Sequence, residues 1–144
     1  MTAAAQGPWA GRAGDRAVWR LVWCCERSHK AEEGAVRGTI EEKARAFQGS
    51  LTCFKKAKTF EAWLEHRWEP HVLLADGREV KPCVQALLQA PPERRPVLVV
   101  ALQPNPTHAA RTRDWADDLR WQGGGSVVVH VVGSVDALGA LLDA

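Results

Sequence analysis

The sequence of 144 residues predicts a single α/β domain built on a doubly wound, five-stranded parallel sheet between two layers of helices. Three observations lead to this fold class. Five short apolar segments recur along the chain, and a stretch with helical spacing follows each of them. The starts of successive segments lie roughly 20 to 33 residues apart, about the length of one strand-helix unit.

The five apolar segments are short enough to be strands. The third to fifth are nearly continuous runs of valine and leucine, which is typical of parallel strands buried on both faces, whereas the first alternates only partly. A histidine inside the last segment, His130, is expected to be a satisfied core residue. The predicted strands are Ala17–Cys24, Ser50–Phe54, His71–Ala75, Pro96–Leu102 and Ser126–Val132.

Helical spacing and capping residues mark the five helices. The first covers Ala31–Phe47, where apolar residues recur at intervals of three and four, and Gly49 is predicted to be its left-handed cap. The second follows Thr59 as a capping residue, and the third starts at Pro82. Thr107 can cap the fourth helix, and the fifth helix follows Ser134.

Composition excludes several classes of protein. Hydrophobic residues make up 46% and charged residues 25% of the chain, close to the average of folded domains and unlike collagen, coiled coils or disordered chains. The longest apolar run, Pro96–Leu102, is far shorter than the ~20 residues of a membrane span, so no membrane partner is expected. The net charge of +2 is too small to indicate a nucleic-acid binder.

The first residues of the chain bear on where in the cell the protein is expected. Residues 1–16 are rich in alanine and glycine and lack apolar periodicity, so they are predicted to be a flexible leader to one domain over residues 17–144. No basic segment followed by an apolar one opens the chain. We therefore expect a cytoplasmic protein whose cysteines are reduced.

A functional site is expected at one edge of the sheet, because ligands of open parallel sheets bind outside the carboxyl ends of the strands. The predicted basic rim at that edge consists of Arg27, Lys30, Lys55, Lys56, Arg78, Lys81 and Ser134. With Lys58, the segments after the first three strands hold seven basic residues against three acidic ones. Such a rim favours an anion or an acidic partner surface, although polar loops also carry basic residues by chance.

Candidates for catalysis lie at the same edge. Cys83 begins the third helix near Lys81, and both features lower the pKa of a thiol, so Cys83 is the predicted reactive cysteine. His29 and His108 follow the first and fourth strands and are the histidines that could act with it. We expect Cys53 and one of the two adjacent cysteines at positions 24 and 25 to be buried apolar residues.

Motifs for other chemistry are missing from the sequence. There is no dinucleotide-binding glycine motif, no P-loop, no nucleophile elbow and no zinc-protease motif. The cysteines also lack the spacing of a zinc site. No cofactor and no metal are therefore expected, and Glu26 and Asp76 are the only carboxylates that resemble candidate ligands for a hard cation.

The pattern resembles response-regulator receiver domains over roughly residues 16–144. Asp76, in the segment LLADGREVKP, matches the position of their phosphoacceptor to within one residue. The resemblance implies a flavodoxin-like fold with strand order 2-1-3-4-5. In that family an acidic pair after the first strand holds Mg²⁺, whereas this chain has Cys24, Cys25 and Glu26 there. It also lacks the family's hydroxyl after the fourth strand and lysine after the fifth.

These observations lead to two functional hypotheses. The first is a non-enzymatic, degenerate receiver-like domain that signals by contact with a protein partner or forms a homodimer, with Trp115 and Trp121 at the interface. The basic rim would then be its contact surface or would bind a small anion. The alternative is a small enzyme or a binder of phosphorylated metabolites that uses Asp76, Cys83 and a histidine.

Overall fold

Five parallel strands form one sheet in the order β2-β1-β3-β4-β5, which is the flavodoxin-like order and confirms the predicted fold class. The computed structural model describes residues 19–28, 30–66, 69–122 and 127–143, so the predicted leader lies outside the described residues. The strands are β1 (Arg20–Cys24), β2 (Ser50–Phe54), β3 (His71–Asp76), β4 (Leu98–Leu102) and β5 (Val129–Val132). The helices are α1 (Gly34–Ala46), α2 (Ala57–His66), α3 (Val80–Gln89), α4 (Pro106–Gln122) and α5 (Val135–Asp143).

Alternating side chains of the central strands enter two separate helical layers. Leu21 and Trp23 of β1 pack on the face covered by α1 and α5. Val22 of β1 and Leu73 of β3 pack on the opposite face, which is covered by α2, α3 and α4. Burial on both faces explains why the central strands read as continuous apolar runs. No helix within the described ranges is both long and apolar enough to cross a membrane.

The turn between α1 and β2 differs from its predicted form. The left-handed residue is Gln48, with φ of 66°, so the assignment of this role to Gly49 is wrong. A Cβ at Gly49 would lie 2.4 Å from Cε2 of Trp19. The Trp19 side chain is 2% exposed, and its Nε1–H donates to the carbonyl of Phe47 at 2.6 Å. Position 49 therefore requires glycine because a buried indole ring approaches its backbone.

Two helices begin earlier in the chain than predicted. α2 begins at Ala57, before the predicted capping residue Thr59, because Oε1 of Glu79 accepts a hydrogen bond from the Ala57 N–H at 3.1 Å. α3 begins at Val80 rather than Pro82. The loop after β3 thus holds the start of α2 as well as that of α3.

The last strand and the helix before it also differ from expectation. Asn105, not Thr107, caps α4: its Oδ1 accepts hydrogen bonds from the N–H groups of Thr107 and His108 at 2.9 and 3.1 Å. β5 covers only Val129–Val132, and His130 in it is exposed. The prediction that His130 belongs to the core is therefore wrong, because β5 lies at the edge of the sheet and leaves that side chain uncovered.

Candidate functional site

A cleft of about 470 Å³ opens where β3 and β4 end. We call it the strand-end cleft; it lies at the edge where a parallel sheet is expected to bind ligands. It brings together four residues that were predicted from the sequence to lie at this edge: Asp76, Arg78, Lys81 and His108. The lining residues are Asp76, Gly77, Arg78, Lys81, Leu102, Gln103, Pro104, His108, Arg111 and Thr112.

Basic side chains dominate the lining of the cleft. Arg78, Lys81, Arg111 and His108 are all exposed, and Asp76 is the single carboxylate among the described lining residues. The Lys81 ammonium also lies 5.6 Å from the centre of the Trp115 ring, a cation-π distance. An anion in the cleft would therefore meet several positive groups at once.

Contacts with neighbouring groups engage both oxygens of Asp76. Oδ1 accepts the backbone N–H of Arg78 at 3.2 Å and of Glu79 at 3.1 Å, and the Cys25 thiol donates to Oδ2 at 3.5 Å. Burial, and to a lesser degree the charge of Asp76, raises the pKa of Cys25 to about 12. Cys25 is thus a neutral thiol at physiological pH and acts as a hydrogen-bond donor.

Glu26, the other carboxylate predicted as a candidate metal ligand, pairs with a basic side chain rather than with a thiol. Glu26 pairs with Arg78 at 3.7 Å, and both side chains are largely exposed. Within the part of the chain that the structure describes, no three histidine, cysteine, aspartate or glutamate side chains are grouped as metal ligands would be. The resemblance assigns an acidic pair to this position, and a thiol and an ion-paired glutamate occupy it here.

A hydrogen-bonded chain of three residues fixes one wall of the cleft. The Thr112 hydroxyl donates to the carbonyl of His108 at 2.9 Å, and Nε2 of Gln103 donates to the Thr112 oxygen at 3.3 Å. The Gln103 amide lies directly over Gly77, where a Cβ would come within 1.9 Å of Nε2. Thr112 is itself 6% exposed, so this wall is anchored in the core.

Sequence reasoning did not assign Arg111 and Thr112 to the site. Both lie one helical turn after His108, at spacings of three and four residues. Residues at these spacings share one face of a helix, so the position of His108 at the strand end could have identified them.

The prediction of a reactive thiol at Cys83 is wrong. Its side chain is fully buried, and a hydrogen bond to the Cys24 side chain, followed by burial, raises its pKa well above the ordinary 9.0 of a thiol. Cys83 faces the core of the α2-α3-α4 layer rather than solvent. The other cysteines differ as well: Cys24 and Cys25 are both buried, and Cys53 is only half-buried.

The residues of the basic rim differ in their surroundings. Arg27 pairs with Glu32 at 3.3 Å and with Glu33 at 3.8 Å, on the 3₁₀ turn that precedes α1. Of the rim, Arg78 and Lys81 alone line the cleft. The exposed residues of the rim outside the cleft are Arg27, Lys30, Lys55, Lys56 and Ser134. His29 lies outside the described residues.

The predicted tryptophan interface is defined only in part. Trp115 is half-buried and packs against the α2-α3-α4 core, with Lys81 over its ring. The side chain of Trp121 lies outside the described part of the chain. A role of α4 in partner contact stays a prediction.

Comparison of the chain with models of known protein families, with curated proteins and with solved structures gave no significant match.

Proposed function

We propose that the chain is a non-enzymatic, receiver-like binding module whose strand-end cleft takes an anionic group. The observation that supports this most directly is the lining of the cleft, in which Arg78, Lys81, Arg111 and His108 face a single carboxylate among the described lining residues. Signalling would then follow from contact or ligand binding rather than from covalent chemistry.

The charges of the cleft are available to a ligand. Arg111 and Lys81 have no ion-pair partner among the described residues, and the pair of Arg78 with Glu26 is long and exposed, so it is worth little in water. The Asp76 carboxylate offsets one of these positive charges, and hydrogen bonds from the loop and from Cys25 hold its oxygens in place. Binding an anion would relieve the mutual repulsion of these cations.

Anion binding has a direct test in the intact protein. Titration with inorganic phosphate, followed by NMR chemical shifts, is expected to show saturable shifts at the cleft residues. Arg111→Gln should weaken phosphate binding about tenfold, because it removes one charge-assisted hydrogen bond. Arg113→Gln is the matched control, since Arg113 is an exposed arginine on the same helix that does not line the cleft.

Equal weakening by the two substitutions would mean that phosphate senses only the overall charge of the protein. Shifts that do not saturate would mean that the cleft is not an anion site. Either result contradicts the proposed function.

Phosphorylation at Asp76 is expected to fail. Transfer of a phosphoryl group to a receiver aspartate needs a divalent cation at the adjacent acidic pair, and a neutral thiol, Cys25, stands beside Asp76 here. Incubation with acetyl phosphate and Mg²⁺ should therefore leave the intact mass unchanged. An added phosphoryl group that disappears in Asp76→Asn would show that the domain is an active receiver.

A further inference from the structure

We infer that the ligand of the strand-end cleft is an adenine nucleoside monophosphate whose base is read by Gln103. The inference rests on the proposed function, because it takes the basic side chains of the cleft as the phosphate site. It adds the identity of the organic group and the residues that select it.

The size and lining of the cleft call for a ligand larger than phosphate. A volume of about 470 Å³ lies in the range of sites for drug-sized small molecules. Leu102 and Pro104 form an apolar part of the lining, beside the basic side chains. This combination suits a phosphate monoester that carries a flat, partly apolar group.

Hydrogen bonds orient the amide of Gln103. The Thr112 hydroxyl gives its hydrogen to the carbonyl of His108 at 2.9 Å, so its oxygen acts as the acceptor for Nε2 of Gln103 at 3.3 Å. A flipped amide would place two acceptor oxygens against each other. Within the described part of the chain the amide makes no other hydrogen bond, which leaves Oε1 and one N–H for a ligand.

An amide that offers one acceptor and one donor side by side matches adenine. Glutamine pairs with this base in a bidentate way, accepting from the N6 amino group and donating to N7. A purine with an oxygen at position 6 presents two acceptors, O6 and N7, so the amide can donate to only one of them. Turning the amide over, which Thr112 opposes, would place Oε1 against N7. The Gln103 amide fits here because residue 77 is a glycine: a Cβ at this position would come within 1.9 Å of Nε2.

Calorimetric titration of the full chain with inorganic phosphate, adenosine monophosphate and inosine monophosphate tests this inference. The two nucleotides differ in the group on position 6 of the purine, which is an amino group in one and an oxygen in the other, and in the hydrogen that the oxo form carries on N1. Adenosine monophosphate is expected to bind about tenfold more tightly, which is the discrimination typical of a bidentate base contact. Inorganic phosphate should bind more weakly than either nucleotide.

Substitutions at two residues separate base reading from phosphate binding. Gln103→Leu and Thr112→Val should bring the affinity ratio of the two nucleotides close to one and should weaken the binding of inorganic phosphate less than Arg111→Gln does. Thr112→Ser keeps the hydroxyl and should keep the ratio, as expected of a positioning residue. Thermal melting of each variant shows that the fold is retained.

The possible failures are distinguishable. Equal affinity of the unmodified chain for the two nucleotides, or a ratio that survives Gln103→Leu, overturns the adenine inference even when phosphate binds. If none of the three probes binds, the proposed function fails and the inference fails with it.

Discussion

Gly49→Ala is expected to lower the free energy of unfolding by about 3 kcal/mol, which is the upper part of the range for overpacking a core. The added methyl group would lie 2.4 Å from the Trp19 indole. That ring cannot move aside easily, because it is buried and its N–H is bonded to the carbonyl of Phe47. Urea unfolding at equilibrium measures the loss.

Gly38→Ala is the matched control for this prediction. Gly38 lies inside α1, is exposed, and a Cβ there would meet nothing within 4 Å. Alanine has a higher helix propensity than glycine, so this substitution should stabilise the protein by about 0.5–1 kcal/mol. If both substitutions changed stability alike, the Trp19 ring would not lie against residue 49.

The contrast between these glycines shows what the sequence could reveal about the fold. The order of the elements and the two helical layers follow from periodicity, because buried strands and amphipathic helices have distinct patterns. The strand order was an implication of the resemblance to receiver domains. The role of Gly49 depends on a tryptophan that is 30 residues earlier in the chain. The start of α2 likewise depends on a glutamate side chain from the loop after β3. Local capping rules do not contain such contacts.

The sequence predicted where the site lies and some of its residues, but not which way each side chain faces. The ends of parallel strands correctly brought Asp76, Arg78, Lys81 and His108 to one cleft. The prediction of a reactive thiol was wrong because a position near a helix N-terminus does not determine which way a side chain faces. Cys83 lies on the same face of α3 as the buried Val84 and Leu87. This apolar periodicity predicts a side chain that faces the core. The sequence also could not show that Arg27 of the basic rim pairs with Glu32 and Glu33, because these contacts form only in three dimensions.

A buried histidine at the opposite end of β3 is expected to make the protein sensitive to acid. His71 is fully buried, and its ring lies edge-on to Trp63, with 4.8 Å between the ring centres. Its Nδ1–H donates to the carbonyl of Glu69 at 2.9 Å, and Nε2 has no hydrogen-bond partner among the described residues. Burial therefore disfavours the charged ring and lowers the pKa of His71 from 6.5 to about 4.

The direction of the pH dependence follows from the difference between the pKa of His71 in the unfolded chain and its lower pKa in the folded protein. Between pH 6.5 and 4 the unfolded chain binds a proton at His71 that the folded chain does not bind, so stability falls as the pH falls through this window. A tenfold difference in proton affinity corresponds to about 1.4 kcal/mol, so the loss at pH 4 should reach about 3 kcal/mol. Above pH 6.5 the contribution of His71 to stability is constant.

Urea unfolding of the protein and of His71→Phe at several pH values between 7 and 4 measures this contribution. The variant keeps an aromatic ring and loses the hydrogen bond to Glu69, so we expect it to be about 1 kcal/mol less stable at pH 7. Its stability should fall less with acid, so the two proteins should be equally stable at about pH 6, and by pH 4 the variant should be the more stable of the two by about 2 kcal/mol. His66→Phe, at an exposed histidine near the end of α2, should retain the full acid dependence of the unmodified protein. An equally steep loss in His71→Phe would show that other groups, and not the buried imidazole, set the response to acid.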